Sequence, residues 1–402
     1  MRVLLLGGGG REHALGWKLA QSPRVHELIS LPGNPGLAEL GPVVEGISLT
    51  DVGAVAALAR TQGIDLVVVG PEAPLAAGVV DALADLGVPT FGPTRSAARL
   101  ESSKSFAKEV MIRAGVPTGG AETFTEPEPA KAHLATLNPP FVVKADGLAA
   151  GKGVLVTDSR TEAGAWVDRW LPEGPVVVEE FLEGPEVSIF AVCTARGAVA
   201  LEPARDYKRL GDGDVGPNTG GMGSYSPVDD LPEGLVAQVM AEVIEPTLVR
   251  MAHDGHPFTG FLYAGLVLTS AGPKVLEFNV RLGDPECQAI LPRLETDLVD
   301  VLEGSPPAWS ETATVNVVLA AKGYPTAPEK GAEIRGLGNV PDDVLVFHAG
   351  TNQENGKLVV NGGRVLNLVG TGPTVAEARN RAYAAAEAVT WPGVQFRTDI
   401  AS

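Results

Sequence analysis

The stretch Val275-Leu-Glu-Phe-Asn-Val-Arg-Leu-Gly-Asp-Pro-Glu-Cys-Gln288 alternates apolar and polar residues. Strand side chains switch faces at every residue, so Leu276, Phe278 and Val280 are expected on one face, and Glu277, Asn279 and Arg281 on the other. A carboxylate and an amide oxygen two residues apart on a rigid strand suit a hard cation such as Mg²⁺, which takes few protein ligands when phosphates supply the others. Arg281 extends that row towards an anion. The same pattern fits the solvated face of an antiparallel strand, and the stretch alone leaves both readings open. A phosphate site elsewhere in the chain would decide between them.

The length of 402 residues exceeds one ordinary domain and predicts roughly two to four compact units. Hydrophobic residues at 45% against 20% charged residues fit a globular chain, and 49 glycines with 32 prolines imply many turns and backbone-lined sites. A net charge of −18 argues against a nucleic-acid surface, which needs clustered Lys and Arg. Cys193 and Cys287 lack metal-type spacing and read as reduced thiols of a cytoplasmic protein. The apolar run after Met1-Arg2 ends at Gly7, too soon for a signal segment or a membrane span, so no membrane partner is expected. His13, His26, His133, His253, His256 and His348 are scattered, and only His13 stands beside a candidate loop.

Residues 3–6 form an apolar run, Gly7–Gly10 a glycine loop, and residues 11–20 a helical pattern. Backbone N–H groups at such a helix start suit a phosphate. Glu12 stands where the dinucleotide fingerprint needs glycine, so a phosphorylated substrate is favoured over a nicotinamide cofactor. A helix over about 51–60, a strand at 65–69, a helix to Leu86 and a strand at 88–91 continue a parallel α/β pattern. Asn34, in Pro32-Gly-Asn-Pro-Gly36, and Glu72, in Gly70-Pro-Glu-Ala-Pro74, fall in loops after strands. They either line one crevice or serve as turn and cap residues.

A helix over 95–114 carries Lys104. Phe141–Val156 reads as a hairpin whose first strand carries Lys144 into a tip of small residues with Gly151 and Lys152. Asp146 and Gly153 stand where a P-loop needs Gly and Ser or Thr, so this is a lid over phosphates or a flexible linker. An apolar strand at 175–182 ends in carboxylates, and Glu186 follows the turn. Backbone at such a strand end can meet an adenine edge and a carboxylate can meet ribose hydroxyls, although solvated strand ends look the same. Residues 203–228 show neither period and gather Arg205, Lys208 and Arg209 among acids. Helices over about 233–253 and 285–302, strands at 260–269 and 312–321, and short strands at 344–348, 357–360 and 364–369 before a helix at about 374–388 complete the reading.

Lys144-Ala-Asp-Gly-Leu-Ala-Ala-Gly-Lys-Gly153, Asp214-Val-Gly-Pro-Asn-Thr-Gly-Gly-Met-Gly223 and Glu277-Phe-Asn-Val-Arg-Leu-Gly-Asp-Pro-Glu286 resemble signatures of the ATP-grasp ligases, and closely those of the phosphoribosylamine-glycine ligase family. The likeness runs from Gly7-Gly-Gly-Gly-Arg-Glu-His-Ala14 through Gly70-Pro-Glu72 to Gly362-Gly-Arg-Val-Leu366 and Arg397-Thr-Asp-Ile400. It implies a multidomain α/β and α+β chain. Residues 1–100 would be an N-terminal parallel α/β domain for the phosphosubstrate, 101–310 an ATP-grasp domain of two sheets with a lid at about 120–186, and 311–402 a small α+β domain. The implied reaction is purine-biosynthetic: ATP, glycine and 5-phosphoribosylamine give glycinamide ribonucleotide, ADP and phosphate through a glycyl phosphate.

By that likeness Lys104, Lys144 and Gly151 meet the nucleotide phosphates, Glu179, Glu180, Phe181 and Leu182 meet adenine, and Glu186 meets ribose. Glu277 and Asn279 hold Mg²⁺ or Mn²⁺. Asp214 and Arg281 mark the glycine site, and Asn218 binds substrate; Asp214, Arg281 and Lys144 carry the catalysis. Gly8, Gly9 and Gly10 hold the sugar phosphate, and Glu12, Asn34 and Glu72 also bind substrate. A monomer is the expectation. The chain departs from the family pattern at Gly184-Pro185-Glu186, where two acids in a row are more usual, and at Arg281-Leu-Gly283, where Arg-Phe-Gly is.

Overall fold

The computed structural model describes residues 1–148 and 153–402. Strands β1 (Arg2–Gly7), β2 (Glu27–Pro32), β3 (Leu66–Val69) and β4 (Thr90–Phe91) form a parallel sheet of order β2-β1-β3-β4. Val3 to Leu6 and Val67 to Val69 are buried whichever way they point, as strands covered by helices on both faces must be. The chain leaves β1 to one side for β2 and later returns to its other side for β3. Ligands bind such sheets at this switch point, beyond the strand carboxyl ends. Both the Gly7–Gly10 loop and Glu72 open there. The helix expected up to Leu86 is two, Glu72–Ala77 and Val79–Ala84, because Gly78 adopts φ +95° between them.

The helix expected over 95–114 is also two, Arg99–Ser102 and Lys104–Ala114. Extended Ser103 caps the second, its Oγ accepting from the Phe106 N–H at 3.2 Å, and Asp146 accepts from the Lys104 N–H at 2.5 Å. A lid carboxylate thus sits on the positive end of this helix. The lid is an antiparallel sheet of β5 (Ala121–Phe124), β6 (Phe141–Ala145), β7 (Val154–Thr157) and β8 (Val176–Glu179), ordered β5-β8-β6-β7. Its own core includes Phe124, Leu134, Phe141 and Val178. The expected β6–β7 hairpin is present; Gly151 and Lys152 at its tip lie outside the described residues.

Next come β9 (Glu186–Thr194) and β10 (Gly197–Ala200). The stretch expected to be irregular then holds four short strands, β11 (Arg205–Asp206), β12 (Arg209–Gly211), β13 (Val215–Asn218) and β14 (Gly223–Ser226). Strands this short display no period in sequence. β15 (Gly260–Thr269) and β16 (Gly272–Asn279) complete an antiparallel sheet of order β10-β9-β15-β16. The alternation expected for residues 275–281 is broken within it. Glu277 pairs with Gly265 and Val275 with Leu266, which leaves Leu276 as the extra residue of a bulge. Val275, Phe278 and Val280 are core residues, whereas Leu276 lines the cleft between the sheets.

The helix expected at 233–253 runs as Leu235–Val239 and Glu245–His253 through a wider turn at Met240–Ile244, beside Pro246, which has no N–H for an ordinary turn. The one expected over 285–302 is broken into Glu286–Ile290, Leu291–Arg293 and Leu298–Leu302, with Pro292 inside the second piece and Asp297 capping the third. Last come β17 (Ala313–Ala320), β18 (Val344–His348), β19 (Thr351–Glu354), β20 (Lys357–Val360) and β21 (Arg364–Gly372). The C-terminal sheet has the order β11-β14-β17-β21-β18, so two of its strands come from residues 205–226. Ala378, Ala382 and Ala385 of the helix Val375–Ala388 let that helix lie close on it. No helix among the described residues is long and apolar enough to cross a membrane.

His13, on the first helix, meets this sheet. Its Nδ1 accepts from the His348 N–H at 2.8 Å, and the two rings lie 5.6 Å apart. Burial, and for His13 also the neighbouring His348, pushes the imidazoles down to about 3 and about 4. Both are neutral when folded and protonated in the unfolded chain below about pH 6.5. The unfolded state therefore binds more protons, and stability falls as pH drops from about 6.5 towards 4, by up to about 1.4 kcal/mol per pH unit for each ring. Urea unfolding of wild type and His13→Asn between pH 7 and 4.5 measures this. The variant keeps an acceptor for the His348 N–H, and its stability should decline less steeply, by about one proton; equal slopes would show that His13 titrates normally in the fold.

Candidate active site

The sheets enclose a cleft of about 760 Å³, within the usual range for small-molecule sites. On the lid side, Lys144 of β6 pairs with Glu179 of β8 at 2.8 Å and donates to the Leu276 carbonyl at 3.2 Å. Lys108 lies 3.4 Å from the same carboxylate and donates to Thr118 Oγ1 at 2.7 Å. Thr118 Oγ1 in turn donates to the Val275 carbonyl at 2.7 Å, just before the bulge. Lys104 opens its helix and donates to the Gly147 carbonyl at 2.9 Å. Burial pulls Lys104 and Lys108 below the usual ammonium range, against the opposing pull of Glu277 on the first and Glu179 on the second.

Glu277 faces these lysines from β16. Burial pushes its carboxyl up, but Lys144, Lys104, Lys208 and Arg281 outweigh burial and hold it below the ordinary value. The Asn279 Oδ1 accepts from Arg281 at 3.1 Å. Among the described residues no three His, Cys, Asp or Glu side chains gather as a metal site. Glu277 and Asn279 offer two hard oxygens, a donor set suited to a cation completed by phosphates.

Arginines from three parts of the chain converge on the other half of the cleft. Arg281 lies 2.9 Å from Glu101 and 3.6 Å from Glu72. Arg11 lies 2.8 Å from Glu12, 4.0 Å from Glu72 and 3.1 Å from the Leu282 carbonyl. Arg364 of β21 pairs with Asp284 at 3.0 Å and donates to its carbonyl at 2.5 Å and to that of Gly220. Burial pushes Asp284 up, and Arg364 and Arg11 bring it below its ordinary value. Glu286 behaves oppositely: burial and then Asp206 push it up to about 7.

Of the expected residues, Lys104, Lys144, Glu179, Glu277, Asn279, Arg281, Glu72 and Asn218 line this one cleft. Others lie elsewhere. Asn34 is a cap: its Oδ1 accepts from the Leu37 N–H at 2.9 Å and its amide donates to the Gly8 and His348 carbonyls at 3.0 and 2.9 Å. Glu12 accepts from the Gly9 N–H at 2.6 Å, which occupies a donor expected to serve phosphate. A Cβ on Gly8 would strike the Gly33 carbonyl, and one on Gly10 would come within 2.7 Å of Gln288 Nε2. Close packing accounts for these glycines, and the cleft reaches their loop at Arg11.

Glu180 accepts from the Gly120 N–H at 3.0 Å and lies 3.5 Å from Lys274, with Phe181 exposed and Leu182 half-buried beside it; Glu179 is the hinge residue that lines the cleft. Glu186 pairs with Lys208 at 2.8 Å. Asp214, expected beside Arg281, pairs instead with Arg397 at 2.6 Å in the β12–β13 turn.

The residues missed by sequence reasoning are Arg11, Glu101, Lys108, Asp284, Glu286 and Arg364. Arg11, Asp284, Glu286 and Arg364 stand inside motifs already singled out. Glu101 and Lys108 carry no local signal, since both look like ordinary helix-surface charges.

Two sheets closing on a cleft, with lysines on one and a carboxylate-amide pair on the other, define an ATP-grasp enzyme. Residues 102–287 match the family described as "Phosphoribosylglycinamide synthetase, ATP-grasp (A) domain", residues 1–101 its N domain and residues 314–402 its C domain. A phosphoribosylamine–glycine ligase of Rhizobium meliloti is 49% identical over 414 aligned residues, covering 100% of this chain and 98% of the relative. The crystal structure of phosphoribosylamine–glycine ligase from Thermotoga maritima is 39% identical and covers 100% of both chains with a TM-score of 0.87. The biotin carboxylase domain of Hydrogenobacter thermophilus 2-oxoglutarate carboxylase shares the fold, with a TM-score of 0.75 at 16% identity over 98% of this chain and 91% of that one. The chain belongs to the phosphoribosylglycinamide synthetase family.

Glu179 is shared by two lysines, which sets an energetic test. Lys144→Met or Lys108→Met alone leaves the carboxylate one partner and should lower stability by about 1–3 kcal/mol. The double variant strands a buried carboxylate and should lose more than the sum of the two. A urea double-mutant cycle reads the coupling directly, and additivity would show that Glu179 does not need either lysine.

Proposed function

We propose that the protein joins glycine to 5-phosphoribosylamine at the expense of ATP, giving glycinamide ribonucleotide, ADP and phosphate in purine biosynthesis. The whole-chain similarity to phosphoribosylamine–glycine ligases supports the reading. The observation that carries it is the convergence, in one cleft, of a lysine side for a nucleotide and an arginine side for a second anionic substrate. In this reading the glycine carboxylate attacks the γ-phosphoryl group, ADP leaves, and the phosphoribosylamine nitrogen attacks the glycyl phosphate carbonyl and expels phosphate, losing a proton.

Phosphoryl transfer of this kind depends on alignment and charge neutralisation. Lys104 and Lys144 neutralise the phosphates, and Arg281 orients the glycine carboxylate on the strand that also carries Glu277. Asn218 lines the substrate side. A divalent cation, Mg²⁺ or Mn²⁺, would be held by Glu277 and Asn279 and would supply charge neutralisation at the phosphates. Glu277 fits that task because it is ionised and, among the described residues, has no ion-pair partner within 4.0 Å. Arg11 and Glu72, at the switch point of the parallel sheet, suit the phosphoribosyl group; Arg281 and Glu101 close that side. Excluding water protects the acyl phosphate, a role that suits the lid of residues 120–186. We further propose a cytoplasmic monomer, in keeping with its reduced cysteines, built from an N-terminal, an ATP-grasp and a C-terminal unit.

Release of ADP by the purified protein should require Mg-ATP, glycine and freshly made phosphoribosylamine together, with a glycinamide product by mass. ADP formed without phosphoribosylamine, or only with another carboxylate, would sink the substrate assignment. The double variant Glu277→Gln/Asn279→Ala should keep its circular dichroism and urea midpoint while turnover falls by at least about 100-fold.

A further inference from the structure

Arg397-Thr-Asp-Ile400 lies outside the cleft, yet its first side chain is a charged group with 1% exposure. The Arg397 guanidinium is fully engaged. It meets Asp214 at 2.6 Å and Asp399 through Nε and Nη2 at 2.7 and 2.6 Å, donates to the Arg209 carbonyl at 3.2 Å, and stacks 4.8 Å above the Tyr207 ring. The neighbours repeat the theme. Asp212 accepts from the Thr398 N–H at 2.7 Å and from its hydroxyl, and Asp399 accepts from the Gly213 N–H at 2.8 Å. Each of the three turn residues 212–214 is thus bonded to residues 397–399, including Asp214 on left-handed backbone at φ +55°.

The anchor itself is bonded to the last helix. Tyr383 Oη donates to the Arg397 carbonyl at 2.8 Å and accepts from the Ile400 N–H at 3.0 Å, while Arg379 donates to the Thr398 and Ile400 carbonyls at 2.7 and 2.9 Å. Ile400 is fully buried in the C-terminal core.

The hairpin held by this anchor has little of its own to hold it. All four residues of β13 are exposed, and β12 and β13 form a sheet of only two strands, which is marginal in water when isolated. Yet its inner end walls the cleft through Pro217, Asn218, Thr219 and Gly220. That end is fixed by the Gly220 N–H to Tyr324 Oη bond at 2.8 Å and the Thr219 N–H to Lys208 carbonyl bond at 2.7 Å. The tip is fixed by the C-terminal segment.

We propose that Arg397-Thr-Asp-Ile400 is a clamp that positions the β12–β13 hairpin, and through it the cleft wall that meets glycine and phosphoribosylamine, with Arg397 as the positioning residue. The proposal rests on the function proposed above. It assigns Asp214 a role through Arg397 instead of direct contact with substrate, and it gives the C-terminal motif a task in the reaction.

The test is steady-state kinetics of Arg397→Ala, Arg397→Lys, Asp214→Asn and Asp212→Ala, with hydrogen exchange of residues 209–218. Arg397→Ala should raise KM for glycine or phosphoribosylamine by about 10-fold or more while KM for ATP stays within about twofold, because misplacement is confined to one wall. Arg397→Lys keeps the charge but loses the fork and should recover only part of the loss. Exchange should quicken in residues 209–218 alone.

If Asp214 acts through Arg397, the double variant Arg397→Ala/Asp214→Asn will match the worse single variant. Additive losses would place Asp214 on substrate and overturn the clamp. So would parallel rises in all three KM values, or lower stability with unchanged kinetics. Should Arg397→Ala fail to fold, Asp212→Ala removes the Thr398 bonds from the exposed side and is read the same way. If the wild type shows no dependence on the two co-substrates, the proposed function fails, and the exchange experiment still decides whether the clamp holds the hairpin.

Discussion

The carboxylate of Glu179, buried between Lys144 and Lys108, fixes how the lid faces the rest of the cleft. A buried charge must be paired, and here the pairing spans elements that no sequence neighbourhood joins. Glu179 ends one lid strand, Lys144 lies on the next, and Lys108 rises from the helix beneath. Through Thr118, Lys108 also reaches the Val275 carbonyl. The lid base and the strand carrying Glu277 and Asn279 are thereby tied at a few ångströms. Further out the lid has a separate core, so what joins the β6–β7 hairpin to the central sheet is polar: Lys144 of β6 donates to the Leu276 carbonyl.

This arrangement explains what was legible in the sequence and what was not. Glu277, Asn279 and Arg281 were visible because a strand projects its own side chains in a fixed order, and Lys144 because it interrupts an apolar strand. The bulge at Leu276 was invisible. It arises from pairing with β15, where Gly265 meets Glu277 but the next residue, Leu266, meets Val275, and nothing in Val275-Leu-Glu277 announces it. Lys108 and Glu101 were missed for a related reason: each sits on a short helix whose polar residues look solvated until a second element covers them. Asn34 carried both a functional and a capping reading, and Glu12 only a functional one; the bonds both form are those of caps.

Individual elements were legible where their period is long enough, and one connection between them was not. Strands of the parallel sheet, three strands of the lid and the last helix could be read from local period, whereas the strand Ala121–Phe124 and the helices Pro127–Thr136 and Arg160–Trp170 of the lid were not. The C-terminal sheet, however, takes β11 and β14 from a stretch some hundred residues earlier, strands too short to signal themselves. Because that borrowed segment also carries the β12–β13 hairpin, the C-terminal unit is not an appendage to the cleft. Arg364, Tyr324 and Arg397 reach it from three directions, two at the cleft and one at the hairpin tip. A boundary in sequence therefore does not mark a boundary in function.

The same cleft reconciles two electrostatic facts that look opposed. The chain carries a net charge of −18, yet the reactants proposed for it are themselves anions. Salt screens exposed charges beyond about 8 Å at physiological ionic strength, so an approaching phosphate responds mainly to the groups lining its route. Those groups include Lys104, Lys108, Lys144, Lys208, Arg11, Arg281 and Arg364, interleaved with as many carboxylates. Most are balanced by Glu179, Glu101, Glu72 or Asp284, which makes it tolerable to hold so many cations together without ligand. A bound anion then competes with those carboxylates for the same cations, and low-dielectric walls strengthen whichever contact has the better geometry. Binding of such an anion would therefore exchange one ion-pair partner for another.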